Sequence, residues 1–421
     1  MSREVPEGWA STTLGELAQI SGGTTPSKEV GEFWERGRHF WATPTDITAL
    51  PPGKVKLSST KTMVSDAALQ KTSLKMLPVG SVLMTSRATI GYPAINAVPV
   101  ATNQGFANFH PSAKYDAAFL AYWIVFSRKI LERSAGGSTF PEISKSALRS
   151  IHIALPPLHE QWRIAEILSS VDEAIAATRA VIEQTRKVKQ GVLERLLTKG
   201  IGHTRFKQTE IGEIPEGWSL TNADDVCTQI SVGIVIKPSQ YYVESGVRCF
   251  RSANVREGFV EDADWVYISE EGNRVNQKSV LRSGDVLVVR TGYPGTSCVV
   301  PLRYDGANCI DIIFARPKIE LVDPYFLSTF INSARGKTQV LKAEGGLAQK
   351  HFNVGAMKQM KLPLPPLHEQ HEIVAHIQEF ASTETALVRI LEQRLRLKSA
   401  LMSDLLTGRK RVIDALPVAA E

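Results

Sequence analysis

Three short stretches hold residue types able to do chemistry, and each fails on composition or spacing. Asp323-Pro324-Tyr325-Phe326 resembles the loop that presents an amino group for methyl transfer, but it lacks that loop's second proline and stands where a helix is expected to start. No Gly-rich loop for S-adenosylmethionine accompanies it. Gly336-Lys337-Thr338 ends like a phosphate-binding loop, yet the glycine required five residues before Gly336 is Ile331, so the backbone cradle fails. His368, His371 and His376 are three and five residues apart, not the four that places two zinc-binding imidazoles on one helical face. Neither a nucleophile elbow nor a carboxylate and lysine cluster of the nuclease type is found. The expectation is a chain with no catalytic residue, metal site or cofactor of its own.

Composition narrows the class. With 43% hydrophobic and 22% charged residues over 421 positions, the chain has material for two or three cores, which excludes a mainly disordered protein. The start MSREVPEGWA has no apolar signal core, and the longest apolar run, Ala117–Phe126, is too short to span a bilayer. A cytoplasmic protein without membrane contact is expected. Cys227, Cys249, Cys298 and Cys309 lie at spacings of 22, 49 and 11, which fit neither a metal knuckle nor a disulfide framework, so reduced structural thiols are expected. The net charge of +6 is modest but concentrated: residues 179–199 hold six Lys/Arg against two Glu, and residues 389–411 hold seven against two acidic residues. A solvated coil face accounts for such stretches; a border to DNA or to an acidic partner is the alternative.

The elements that would position any site come from a duplication. LPPLHEQ occurs at 155–161 and again at 364–370, an offset of 209. Pro6-Glu7-Gly8-Trp9 returns as Pro215-Glu216-Gly217-Trp218, and Gln19-Ile20-Ser21 as Gln229-Ile230-Ser231. Inside the unit, Gly80-Ser81-Val82-Leu83 echoes Gly284-Asp285-Val286-Leu287, Asp116 with Phe119-Leu120 echoes Asp323 with Phe326-Leu327, and Gly136-Gly137 echoes Gly345-Gly346. The chain is thus two copies of a variable body followed by LPPLHEQ and a long helix, an arrangement able to fold about a pseudo-twofold axis.

After each Pro pair the chain is free of proline for about 50 residues, and apolar positions recur at coiled-coil spacing. The first seam reads Ile164, Leu168, Val171, Ile175, Thr178, Ile182, Thr185, then drifts to Val188, Val192 and Leu196. The second reads Ile373, Ile377, Phe380, Leu387, Leu391, then Leu397, Leu401, Leu405, with Glu384 and Arg394 interrupting it. About 40 residues give a rod of roughly 60 Å, whose stripe is best buried by its twin as an antiparallel pair holding the two bodies at opposite ends. Leu-Leu-Thr-Lys-Gly200 and Leu-Leu-Thr-Gly408 supply glycine stops, and LPPLHEQ is the strand-to-helix corner, with Glu160 and Glu369 favourable at a helix N-terminus. The bodies read as mixed α/β, with buried strands at 79–84 and 286–290 and helices at 116–132 and 324–339.

Two modules opening with PEGW, each closing with LPPLHEQ and a helix ending LLT(K)G, resemble the specificity subunit of Type I restriction-modification enzymes over essentially the whole chain. The resemblance implies a mixed α/β (α+β) fold. Two homologous target-recognition domains, 1–154 and 204–363, would be joined and separated by two long helices packed as an antiparallel coiled coil, the first spacer helix at 155–203 and the second, with a C-terminal tail, at 364–421. Each domain would read one half of a bipartite, asymmetric site in double-stranded DNA. The helices would set the gap and dock two methyltransferase subunits that carry S-adenosylmethionine. Motor-nuclease subunits, with ATP and Mg, would complete the complex. A self-sufficient methyltransferase or nuclease with an unrecognised site and a helical scaffold without nucleic acid are the other readings open to these residues.

Base readout needs a few rigid polar side chains on loops. The Arg87-Ala88-Thr89-Ile90-Gly91-Tyr92 and Arg290-Thr291-Gly292-Tyr293 loops both follow a buried strand, which nominates Arg87, Thr89, Tyr92, Arg290 and Tyr293. Asn103, Gln104 and Asn308 fall on comparable turns; Ser138 and Thr139 match Gln349 and Lys350 after the paired glycines. Trp41 and Arg251 are candidates that could equally close a core, and for Arg87 and Arg290 the alternative is a loop brace. Deleting or inserting one helical turn in the 164–185 seam is expected to change the gap tolerated between half-sites in a DNA methylation assay; an unchanged gap refutes the spacer role.

Overall fold

The computed structural model describes residues 5–136, 141–344 and 351–412. The chain divides into two compact units, Met1–Ile182 with Leu387–Glu421, and Glu183–Ala386. The boundaries fall inside both long helices, so each unit contains one body and a part of each helix.

In the first unit the strands Ile20–Gly22, Phe106–Phe109, Val82–Thr85, Pro93–Asn96 and Lys56–Leu57 form one sheet in that order, antiparallel except for the last pair. A second sheet orders Thr62–Val64, His39–Ala42 and Val100–Thr102. Ala10–Thr13 pairs with His152–Leu155 and brings the start of the body to its exit. The second unit repeats the design: Cys227–Val232, Ile312–Pro317, Val286–Val289 and Ser297–Val299 form the matching sheet, and Ser219–Asn222 pairs with Lys361–Leu364. The central strands Val82–Thr85 and Val286–Val289 are buried along their whole length, as their almost wholly apolar character requires.

The expected body helices are each split. Ala117–Phe126 ends at Ser127 before Arg128–Arg133, and Pro324–Asn332 ends at Ser333 before Ala334–Glu344. Ser333 is extended, and its hydroxyl accepts from Gly336 N at 3.2 Å, capping the second piece instead of continuing the first. Asp116 and Asp323 are the N-caps that the repeat duplicates, accepting from Phe119 N and from Phe326 N.

The spacer helices run Leu158–Lys199 and Leu367–Leu405, 42 and 39 residues. Within the first unit Lys398 meets Asp172 at 2.6 Å, and Arg394 donates to the Ala174 carbonyl at 2.6 Å and to the Thr178 hydroxyl. Within the second, Glu384 accepts from Arg186 at 2.7 Å and from Lys189 at 3.2 Å. Residue numbers rise on one helix as they fall on the other, so in each unit the two segments pack antiparallel.

These contacts correct the seam. Val188 and Leu397 are 42% and 51% exposed and point away, whereas Lys189 and Lys398 turn inward. With the lysines in place, both helices keep an unbroken 4-3 spacing over ten positions, from Ile164 to Leu196 and from Ile373 to Leu405, each pair offset by 209. Glu384 and Arg394 are seam residues, and they bond across the helices rather than interrupt them. Polar groups inside a helix seam are best attested as devices that fix register, and Glu384 and Arg394 are partly buried in this one.

The recurring motifs meet at one junction per unit. Glu160, fully buried, accepts from the Trp9 indole at 3.1 Å and from Arg411 Nε at 2.8 Å and Nη2 at 2.9 Å. Glu369 accepts from the Trp218 indole at 2.9 Å, from Ile201 N at 2.9 Å and from His203 at 2.9 Å. PEGW, the corner glutamate and the segment after the other helix's glycine stop are thus one cluster. Gly200 has φ +64°, and a Cβ there would lie 2.5 Å from Glu369 Oε1 and 2.8 Å from Trp218, so the stop must be glycine for space as well as conformation. The neighbouring glutamine is the second half of the corner. Gln161 accepts from Asp116 N at 2.8 Å and donates to Pro156 O at 2.9 Å; Gln370 does the same with Asp323 N at 2.9 Å and Pro365 O at 2.9 Å.

Burial alone pushes Glu160 toward its neutral form, but Arg411, the Val412 amide and the Trp9 indole outweigh it and hold the carboxyl below its ordinary value. Its stabilisation is therefore complete above the ordinary glutamate pKa of about 4.3 and is lost as pH falls through the lower folded value. Glu160→Gln, which keeps the shape, is expected to lower the stability of the first unit by about 1.5–3 kcal/mol at neutral pH. In urea melts the difference from the parent should shrink in acid; a difference independent of pH contradicts this role of the charge.

Candidate nucleic-acid interface

In the first body the nominated loops share one edge of the sheet. The Arg87 loop follows Val82–Thr85; Ser86 N donates to Gly105 O at 2.8 Å, joining it to the Asn103-Gln104 turn. Ala88 N bonds Pro141 O at 2.9 Å and Ile143 N bonds Ser86 O at 3.0 Å, which lays the same loop along the chain just after the paired glycines. The second body repeats this: Phe352 N and Arg290 Nε make bonds of 3.3 Å between the Arg290 loop and the matching segment, and Arg290 Nη1 reaches Asp311 at 2.5 Å beside the Asn308 strand. Ser138, Thr139, Gln349 and Lys350 lie outside the described residues, although the segments that flank them are at this edge.

Individual side chains separate into presented and engaged groups. Thr89 and Gln104 are exposed, Gln104 accepting from the Thr25 hydroxyl, and Tyr293 is 83% exposed. Arg87 is half-exposed and holds Glu142 through Nε at 2.8 Å and Nη2 at 2.6 Å, so the loop brace exists. Asn103 spends its side-chain oxygen on Gly105 N at 2.9 Å. Tyr92 lies partly buried under Arg128, whose guanidinium is 3.9 Å from the ring centre. Trp41 is inside the core against Trp34, and its indole bonds Thr24 O at 3.1 Å. Asn308 is fully buried and tied to Asn273 at 2.8 Å. Arg251 reaches Asp264 O at 2.5 Å, with a buried Nε that has no hydrogen-bond partner among the described residues. Trp41 and Asn308 therefore support the edge from behind rather than face outward.

One feature of the second body escaped the sequence reading. A polar groove of ≈780 Å³ is lined by Arg274, Lys278, Arg282 and Arg316 together with Glu270 and Glu271. Arg274 is paired with Glu271 and Arg316 with Asp285, leaving Lys278 and Arg282 as cations without an ion pair among the described residues. The signal was present as three cations spaced by four.

The discarded motifs have ordinary structural roles. Asp323 caps a helix, and Gly336-Lys337-Thr338 lies inside Ala334–Glu344, where Lys337 pairs with Glu257. The four cysteines are free and buried; burial pushes the thiols of Cys227, Cys249 and Cys298 up to about 12 and that of Cys309 well above its ordinary value. No described helix is long and apolar enough to cross a membrane. Many of the clustered cations are consumed inside the units, by Glu384, Asp172, Thr178 and Glu160.

Two bodies that share the order of four main-sheet strands, each with its loops gathered at one sheet edge and each clamped by the same corner to an antiparallel helix pair, define a tandem of recognition modules on helical supports. The chain belongs to the family of the Type I restriction modification DNA specificity domain, which matches it over residues 6–185 and 215–396. It is 25% identical to the Type I restriction enzyme MjaIX specificity subunit of Methanocaldococcus jannaschii, covering 97% of this chain and 95% of that one. The MjaVIII specificity subunit of the same organism is 27% identical over 97% and 94%. A solved chain described under complex assembly and conformational transition of the type I R-M system aligns with a TM-score of 0.65 at 20% identity, over 97% of this chain and all of that one. The HsdS subunit from Thermoanaerobacter tengcongensis aligns with a TM-score of 0.52 at 20% identity, over 97% and 99%. At these identities the structural likeness is one of fold.

The two loop arginines should differ in their effect on stability. Arg290→Ala removes a partly buried charged bond worth about 1.5–3 kcal/mol, whereas Arg87→Ala removes an exposed pair worth about 0–1 kcal/mol. Thermal melts of the full chain are expected to show the larger shift for Arg290→Ala; equal shifts overturn this placement.

Proposed function

We propose that this chain is the DNA-reading subunit of a Type I restriction-modification complex, working in the cytoplasm and performing no bond chemistry itself. Each body reads one half of a bipartite, asymmetric site in double-stranded DNA, and the helices fix the gap. The observation that carries this reading is the pair of matched loop edges: one backbone design presents Thr89 and Gln104 beside a braced Arg87 in one body, and Tyr293 beside a braced Arg290 in the other. One architecture with different side chains suits two half-sites of different sequence.

The helices supply a duplicated outer face for two copies of one partner. Val181 and Val188 are 49% and 42% exposed, and their repeat equivalents Ile390 and Leu397 are 40% and 51% exposed. Two methyltransferase subunits dock on these faces and bring S-adenosylmethionine; motor-nuclease subunits bring ATP and Mg.

The test is methylation of DNA by the chain alone and with its methyltransferase partner. Modification of one sequence is expected only with both present; activity of the chain alone, or no effect of it on the partner's specificity, ends the reading. Within that assay Arg87→Ala is expected to relax one half-site by about 1–3 kcal/mol of discrimination and Arg290→Ala the other, with assembly intact; loss of assembly refutes the loop assignment.

A further inference from the structure

The structure assigns a positioning role to Asp172: it latches the first body to both helices at a second point, and so sets how strictly the complex measures the gap between half-sites. This rests on the function proposed above. Asp172 lies on the first long helix and is 5% exposed, where a carboxylate is costly unless it is bonded. Its partners come from separate elements. Tyr122, on the body helix Ala117–Phe126, donates its hydroxyl to Oδ2 at 2.9 Å. Lys398, on the second long helix, donates to Oδ1 at 2.6 Å, and its ammonium lies 5.6 Å from the centre of the Tyr122 ring. The turn at Gly53 closes over the same carboxylate, a Cβ there lying 3.1 Å from Oδ1. Burial, and then the charge of Asp172, keep the Tyr122 hydroxyl protonated and donating.

One attachment point leaves a body free to swing; two fix a direction. Gln161 binds the N-cap of the body helix at Asp116 N, and Asp172 binds the helix again at Tyr122. These anchors are eleven residues apart on the long helix, about 16 Å at 1.5 Å per residue.

Among its described residues the second unit has only the first of the two anchors, Gln370 with Asp323 N. By the repeat offsets, Thr329 stands where the first body has Tyr122, and an exposed Ala381 stands for Asp172. Lys189, the equivalent of Lys398, goes to Glu384 instead. The duplication preserves the corner and not the latch, which marks the latch as a device of one body rather than a demand of the fold.

The experiment uses the chain assembled with its methyltransferase partner and compares methylation of DNA carrying the parental gap with DNA one base pair shorter or longer, a displacement of about 3.4 Å. Tyr122→Phe, which keeps the ring, and Asp172→Asn are expected to keep both half-site sequences but reduce the preference for the parental gap about 10-fold, since a misplacement of about 1 Å costs on the order of 100-fold in rate. Thr329→Val is expected to leave that preference intact. Equal slowing on all gaps, with a lower melting temperature, would show a merely structural bond and overturn the latch; if Asp172→Asn does not fold, Tyr122→Phe decides. A parent complex indifferent to gap and sequence sinks the proposed function itself, whereas a discriminating parent with an unaltered Tyr122→Phe sinks only the latch.

Discussion

The structure depends on two buried glutamates. A carboxylate removed from water must be surrounded by donors, and Glu160 and Glu369 each draw an indole, a backbone amide and a cationic or imidazole side chain from segments far away in the chain. Satisfying one acidic group brings together the opening of a module, the start of its own helix and the end of the other helix. The adjacent glutamine then fixes the body helix by its first amide. This explains why short motifs separated by some 150 residues recur together: none of them is stable in this form without the others.

The polar seam follows the same logic at larger scale. An all-apolar pair of heptad helices tolerates sliding by a turn, because leucine meets leucine in either register. Glu384 beside Arg186 and Lys189, and Arg394 beside Thr178, have partners in one register alone. Glu384 is held below its ordinary pKa, first by Arg186 and against its own burial, so the charge is retained where it is needed.

Much of the architecture was legible because duplication and periodicity are patterns of residue type. The corner, the helix lengths and the central strands all followed from identity and spacing. The seam differs from the pattern at Lys189 and Lys398, because a long aliphatic stem ending in a partly buried ion pair counts as polar when only residue type is seen. The split at Ser333 was missed because an internal cap competes with helix continuation by a single hydroxyl bond. Among the interface candidates, proximity to the sheet edge was readable from the repeat. The direction of each side chain was not: Trp41 and Tyr293 are both aromatics near that edge, yet one packs against Trp34 and the other stands 83% exposed.

The composition of the two units bears on the order in which they are completed during synthesis. Glu183–Ala386 is contiguous, so all its core residues exist once that stretch has left the ribosome. The first unit, although most of it precedes the second in the chain, borrows Met402, Leu405, Leu406 and Val412 for its core and Arg411 for Glu160. Those residues follow the whole of the second unit in the chain, so a chain interrupted after Ala386 lacks part of the first unit's core while the second keeps all of its own.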